Sequence, residues 1–134
     1  MLQTPVAGAD AAIRPFIAHP GQVAEIRKFI AAHVPALVQD DAALLASEVA
    51  TNAIRHGRPF PDGTITVAVT WDGVTATVAV TDAGSPASTP HVKPSPGGAG
   101  ESGRGLWMVN AMATQWGWTH GPGFATTWFS LASA

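Results

Sequence analysis

The chain has 134 residues, 46% of them hydrophobic and 12% charged, with a formal net charge of −2. That is one domain's worth of chain with enough apolar content for a core, and its two lysines and five arginines form no cluster dense enough for a nucleic-acid surface. The absence of cysteine excludes a disulfide framework and a thiolate metal site, and no run approaches the roughly 18 apolar residues of a membrane helix.

The opening MLQTPVAGAD has neither the basic start nor the apolar run of a secretion signal, so a cytoplasmic location is expected. IRPFIA at 13–18 alternates and predicts a short strand, broken by HPGQ. VAEIRKFIAAHV at 23–34 places Val23, Ile26, Phe29, Ile30 and Val34 at helical spacing and predicts an amphipathic helix ending before Pro35. Asp40 and Asp41 are read as the start of a second helix, where negative charge suits the dipole. It runs to about His56 and stops at Gly57, with Pro59 beyond. Two strands follow, at 64–71 and 74–82, joined by the hairpin signal Asp72-Gly73. From 83 to 105 regularity ends in a stretch rich in glycine and proline. A loop of about 20 residues inside a domain is usually a functional lid or a disordered segment. A third helix over 106–116 is entered from Gly103-Arg104-Gly105. WGWTH and FATTWFSL close the chain as strands around Gly121-Pro122-Gly123.

The order β-α-α-β-β-loop-α-β-β predicts a single α+β domain over 1–134, a two-layer sandwich with a mostly antiparallel sheet and three helices on one face. Strand-helix alternation is absent, so a parallel dinucleotide-binding sheet fits poorly. Trp116, Trp118 and Trp128 are expected in the core, and Trp107 beneath the glycine loop.

Within the second helix, SEVATNAIRHG sets Glu48 and Asn52 one turn apart, about 40° from each other around the axis. Both fall on an otherwise apolar stripe, where a carboxylate is costly without compensation. Two explanations stay open on the helix alone. One is a structural polar pair, with Glu48 bonded to Arg55 or another element. The other is a cation or phosphate site, since these oxygens suit magnesium, which retains water and leans on phosphates. Gly103-x-Gly105 before a helix permits close approach of an anion to unpaired N–H groups. Asp82, at a strand end before Ala83-Gly84, can present a carboxylate to a pocket or cap a turn.

These features occur in one order: SEVATNAIRHG, VTDAGSP, SGRGLWMVNAMA, ATTWFSL. The chain thereby resembles the GHKL (histidine kinase-like) ATPases over about 13–131, and within them the small anti-sigma-factor serine kinases. The resemblance implies a Bergerat-type ATP-binding fold, with ATP and Mg2+ bound. It makes Asn52 the magnesium ligand, Glu48 the general base and Asp82 the acceptor for the adenine amino group, with Gly84 allowing the base to approach. It makes Gly103 and Gly105 the phosphate loop, with Arg104 either touching a phosphate or facing solvent. The lid is placed at about 83–103, and Thr126 is assigned to help Asp82 hold adenine. The sequence departs from the family's pattern at Pro86, where a second glycine is usual, and at Ala125, where glycine commonly precedes the closing threonine. The implied activity is ATP-dependent serine/threonine kinase action on a small antagonist protein, with a sigma factor as second partner. No direct nucleic-acid or membrane contact is implied, and a homodimer is common among such kinases. The alternative is a non-catalytic ATP-binding module that sequesters a protein partner.

Overall fold

The structure, a computed structural model, describes residues 11–84 and 101–133, with side chains from 106 onward in the second stretch. Strand β1 (Ala12–Ile17) leads through a 3-10 turn (Pro20–Gln22) into α1 (Val23–Ala31). The His19 ring caps that turn by accepting the Gly21 N–H at 2.9 Å. Helix α2 (Ala36–His56) follows after a tight bend. Ile26 and Ile30, one turn apart on α1, are fully buried against the apolar stripe of α2. The Gln39 side chain donates to the Ala31 carbonyl at 2.6 Å and satisfies the end of α1.

β2 (Thr64–Trp71) and β3 (Thr75–Asp82) form the hairpin expected at Asp72-Gly73. The Asp72 carboxylate accepts the Val74 and Thr75 N–H groups at 2.8 and 2.7 Å. Those bonds, Thr75's first, hold its carboxyl below the ordinary carboxylate range. Helix α3 (Glu101–Met112), β4 (Gln115–Gly121) and β5 (Phe124–Ala132) complete the chain. The five strands form one antiparallel sheet in the order β1-β2-β3-β5-β4. Pro15, which lacks a ladder donor, is tolerated because β1 is an edge.

Alternation divides the sheet into two faces. Ile65, Val67, Val69, Ala76, Val78, Val80, Phe129 and Leu131 point toward the helices and share one core with Ile26, Leu45, Val49 and Val109. Ala68 and Ala79 face the other way, beneath Trp128. The α+β sandwich is thus present, with a fully antiparallel sheet among the described residues and all three helices on one face.

Several boundaries differ from expectation. α2 begins at Ala36, not at Asp40: Pro35 occupies the N-cap, and buried Val38 extends the stripe back from Ala42, Leu45 and Val49. Asp40 and Asp41 therefore sit exposed in the second turn. α1 stops at Ala31, three residues early. α3 runs from Glu101 to Met112 rather than over 106–116. Strand pairing captures its expected end, because the Thr114 N–H donates to the Ser130 carbonyl and Gln115 pairs with Ser130. Trp116, Trp118 and Trp128 are only half-buried, each on a sheet face rather than inside the core; Trp116 keeps its indole N–H on Asn110 at 3.0 Å. Of the expected lid, 85–100 lies outside the described residues, and 101–103 is helical.

Candidate functional site

The best-defined polar site lies where the end of β3 meets the end of α2. Asp82, the last residue of β3, pairs with Ala125 and therefore shares the face of Val78 and Val80, toward the helices. Its side chain is 7% exposed. The Gly84 N–H donates to Asp82 Oδ1 at 2.6 Å, in a turn that places Gly84 at φ +79°. A side chain there would be strained by that φ and would approach the Phe124 backbone to 3.1 Å. Burial pushes the Asp82 carboxyl above the ordinary carboxylate range. Hydrogen bonds from the backbone of Gly84 and Arg58 and the Arg58 charge pull it back down.

Gly57, which ends α2, lies against this carboxylate. A Cβ built on Gly57 would stand 2.6 Å from Asp82 Cγ and 2.8 Å from the Ala53 carbonyl oxygen. Helix end and strand end thus touch through a residue that must lack a side chain. Gly57→Ala is expected to destabilise the protein by about 1–3 kcal/mol, as overpacking does, read as a lower denaturant midpoint. An unchanged midpoint would mean that this contact relaxes freely.

The same helix carries the second group of candidates. Glu48 and Asn52 lie one turn apart on α2, both half-buried beside buried Val49 and Leu45. They occupy the margin of the apolar stripe rather than its centre, so the expected burial cost is largely avoided. Neither is hydrogen-bonded or ion-paired to another described residue. Among the described residues, the structural polar pair considered from sequence is therefore not formed. An amide and a carboxylate on one helix edge, with no partner among the described residues, suit magnesium, which takes few protein oxygens and keeps water and phosphate ligands. Among the described residues no group of three or more His, Asp or Glu could hold a metal alone. His56 is exposed at the helix end.

The glycine pair lies differently from expectation. Gly103 and Gly105 do not precede α3 but sit within its first turns, since the helix already begins at Glu101. Leu106 and Val109 pack this helix onto the core, and it continues back through both glycines despite their cost of about 1 kcal/mol each relative to alanine. Gly103 remains in the first turn, where N–H groups lack intrahelical partners, whereas Gly105 lies deeper. The side chain of Arg104 is outside the described set.

Thr126 is not brought to Asp82. It pairs with Thr81 across the ladder, and the two hydroxyls bond at 2.7 Å on the face away from the helices. The hydroxyl on Asp82's side of β5 belongs to Thr127, opposite Val80. Its signal was present in the sequence: Thr127 has the parity of Phe129 and Leu131, the core residues of that strand. On β4 the same face carries Trp118 and His120, stacked with ring centroids 4.9 Å apart.

The helix-facing side of the sheet thus presents a buried carboxylate against the end of the helix that carries the amide and acid. The sequence profile of a family described as a histidine kinase-like ATPase domain matches residues 16–131. No curated protein matches the chain.

Proposed function

The chain belongs to the histidine kinase-like ATPase family, and from that membership we propose that it is an ATP-dependent serine/threonine protein kinase regulating a sigma factor. ATP binding follows from the family. The finer reading rests on the ordered motifs and on the open Glu48–Asn52 edge.

The observation that carries it is Asp82: a carboxylate 7% exposed, fixed against the end of the helix that bears Glu48 and Asn52. In this reading Asp82 accepts the adenine amino group. Asn52 would hold magnesium, which when bound neutralises charge on the phosphates. Glu48 orients or deprotonates the hydroxyl of the acceptor serine, and the rest of catalysis is positioning. The acceptor is a small antagonist protein, and the chain also binds a sigma factor. A homodimer and a cytoplasmic location belong to the same proposal. Among the described residues no helix is long and apolar enough to cross a membrane.

Calorimetric titration of the full chain with ATP tests the reading. The expected result is one site whose affinity falls when magnesium is withheld. No heat of binding in either condition would overturn it.

A further inference from the structure

The turn that carries Asp82 is held from outside its own strand. The Arg58 carbonyl, just beyond α2, accepts the Ala83 N–H at 2.8 Å. The Arg58 side chain then reaches over the turn, and its Nε donates to the Gly84 carbonyl at 2.7 Å. Between these two bonds the Gly84 N–H points back at Asp82 Oδ1. A single residue, 26 positions from Gly84 in sequence, therefore grips the turn on both sides of the Gly84 N–H that meets the carboxylate. We propose that Arg58 is a positioning residue for nucleotide-base recognition, aiming the Asp82 carboxylate and placing a positive charge near it. The inference rests on the reading of Asp82 as the group that meets the base.

The charge argument has few competitors. Among the described residues, Arg58 is the one charged side chain that acts on Asp82. From β5 the residue opposite is Ala125, uncharged, and from β4 it is His120, one strand further away and exposed. From α2 the neighbour is Gly57. Burial opposes the ionised carboxylate, so removing the guanidinium leaves that opposition less compensated. An amino group donates better to a carboxylate than to a neutral carboxylic acid, whose proton takes one acceptor position. A purely structural arginine would change stability without moving the titration of Asp82.

Two readouts on the full chain separate these cases. The first is the Asp82 carboxyl titration by NMR without nucleotide, in wild type, Arg58→Ala and Arg58→Lys. Arg58→Ala should titrate at higher pH than wild type, and Arg58→Lys, which keeps the charge, should lie closer to wild type. The second is ATP affinity against pH. Arg58→Ala should bind roughly 10- to 100-fold more weakly, in line with loss of a charge-assisted hydrogen bond, and should lose binding at a higher pH on the acid side. Arg58→Lys should restore the acid side but only part of the affinity, because it lacks the fork geometry. Unchanged titration of Asp82 in both variants overturns the proposal. So does wild-type affinity with an unshifted pH profile. If Arg58→Ala does not fold, the lysine variant decides alone: full wild-type affinity would show that the Nε bond positions nothing. Failure of wild type to bind ATP would overturn the reading of Asp82 as base acceptor, whereas the NMR titration would still decide whether Arg58 controls its charge.

Discussion

Asp82→Asn is expected to bind ATP at least about 100-fold more weakly than wild type, a loss of roughly 3 kcal/mol, while unfolding at a higher temperature at neutral pH. The two effects share one cause. A carboxylate at 7% exposure accepts hydrogen bonds strongly, but burial disfavours its charge. The isosteric amide removes that charge. It also offers the base a donor where an acceptor is needed, so the site is filled yet mismatched. The pH dependence follows from the raised carboxyl pKa. Between the unfolded and the raised folded value, the native state binds more protons than the unfolded chain, so stability falls as pH rises. The stabilisation from the neutral acid is complete below the unfolded value, near 3.8, and is lost as pH rises through the folded one. The advantage of the asparagine variant should therefore be seen at neutral pH and shrink in acid. Calorimetric titration with ATP and thermal unfolding at several pH values check both halves. Retained ATP affinity would remove Asp82 from the site.

Glu48→Ala is expected to keep ATP binding and to lose phosphoryl transfer by about 10²- to 10⁴-fold, the usual contribution of a positioned general base. Its half-buried place on α2, with no described bonding partner, makes a folding defect small, since no described hydrogen bond or ion pair is removed. Binding by calorimetry and ADP formation with an acceptor protein separate the two quantities. Unchanged turnover would take the base role from Glu48. Absence of turnover in wild type, with ATP still bound, would favour a module that sequesters its partner without modifying it.

Much of the fold is legible because its signals are short-range. The strand at 64–71 alternates cleanly, Asp72-Gly73 can only be a tight turn, and Gly57 with Pro59 stops α2 where expected. The start of α2 was not legible in the same way. Two aspartates looked like a helix start, but Pro35 at the cap and Val38 in the core carry the helix one turn further back. A helical pattern predicts α3 through 113–116, but pairing with Ser130, a residue beyond the next turn, ends it at Met112. For the site, Glu48, Asn52 and Asp82 were legible as residues out of keeping with their apolar surroundings. The motif match points to Thr126, but it carries no strand parity, and the ladder puts Thr127 on Asp82's face.

By itself, then, the sequence determined the element types, the family and the polar residues of the helix and strand end. These depend on periodicity, turn chemistry and spacing within a few positions. Only the tertiary structure decided that Gly57 abuts Asp82, that Arg58 clasps Gly84, and that Thr127 rather than Thr126 shares their face. Gly57 and Asp82 come from elements separated by the first hairpin strand, and Arg58 reaches Gly84 across that strand and the next. Such contacts exist only once β3 is locked between β2 and β5 with α2 packed above it, and that arrangement is set by burial of the shared core rather than by any local pattern.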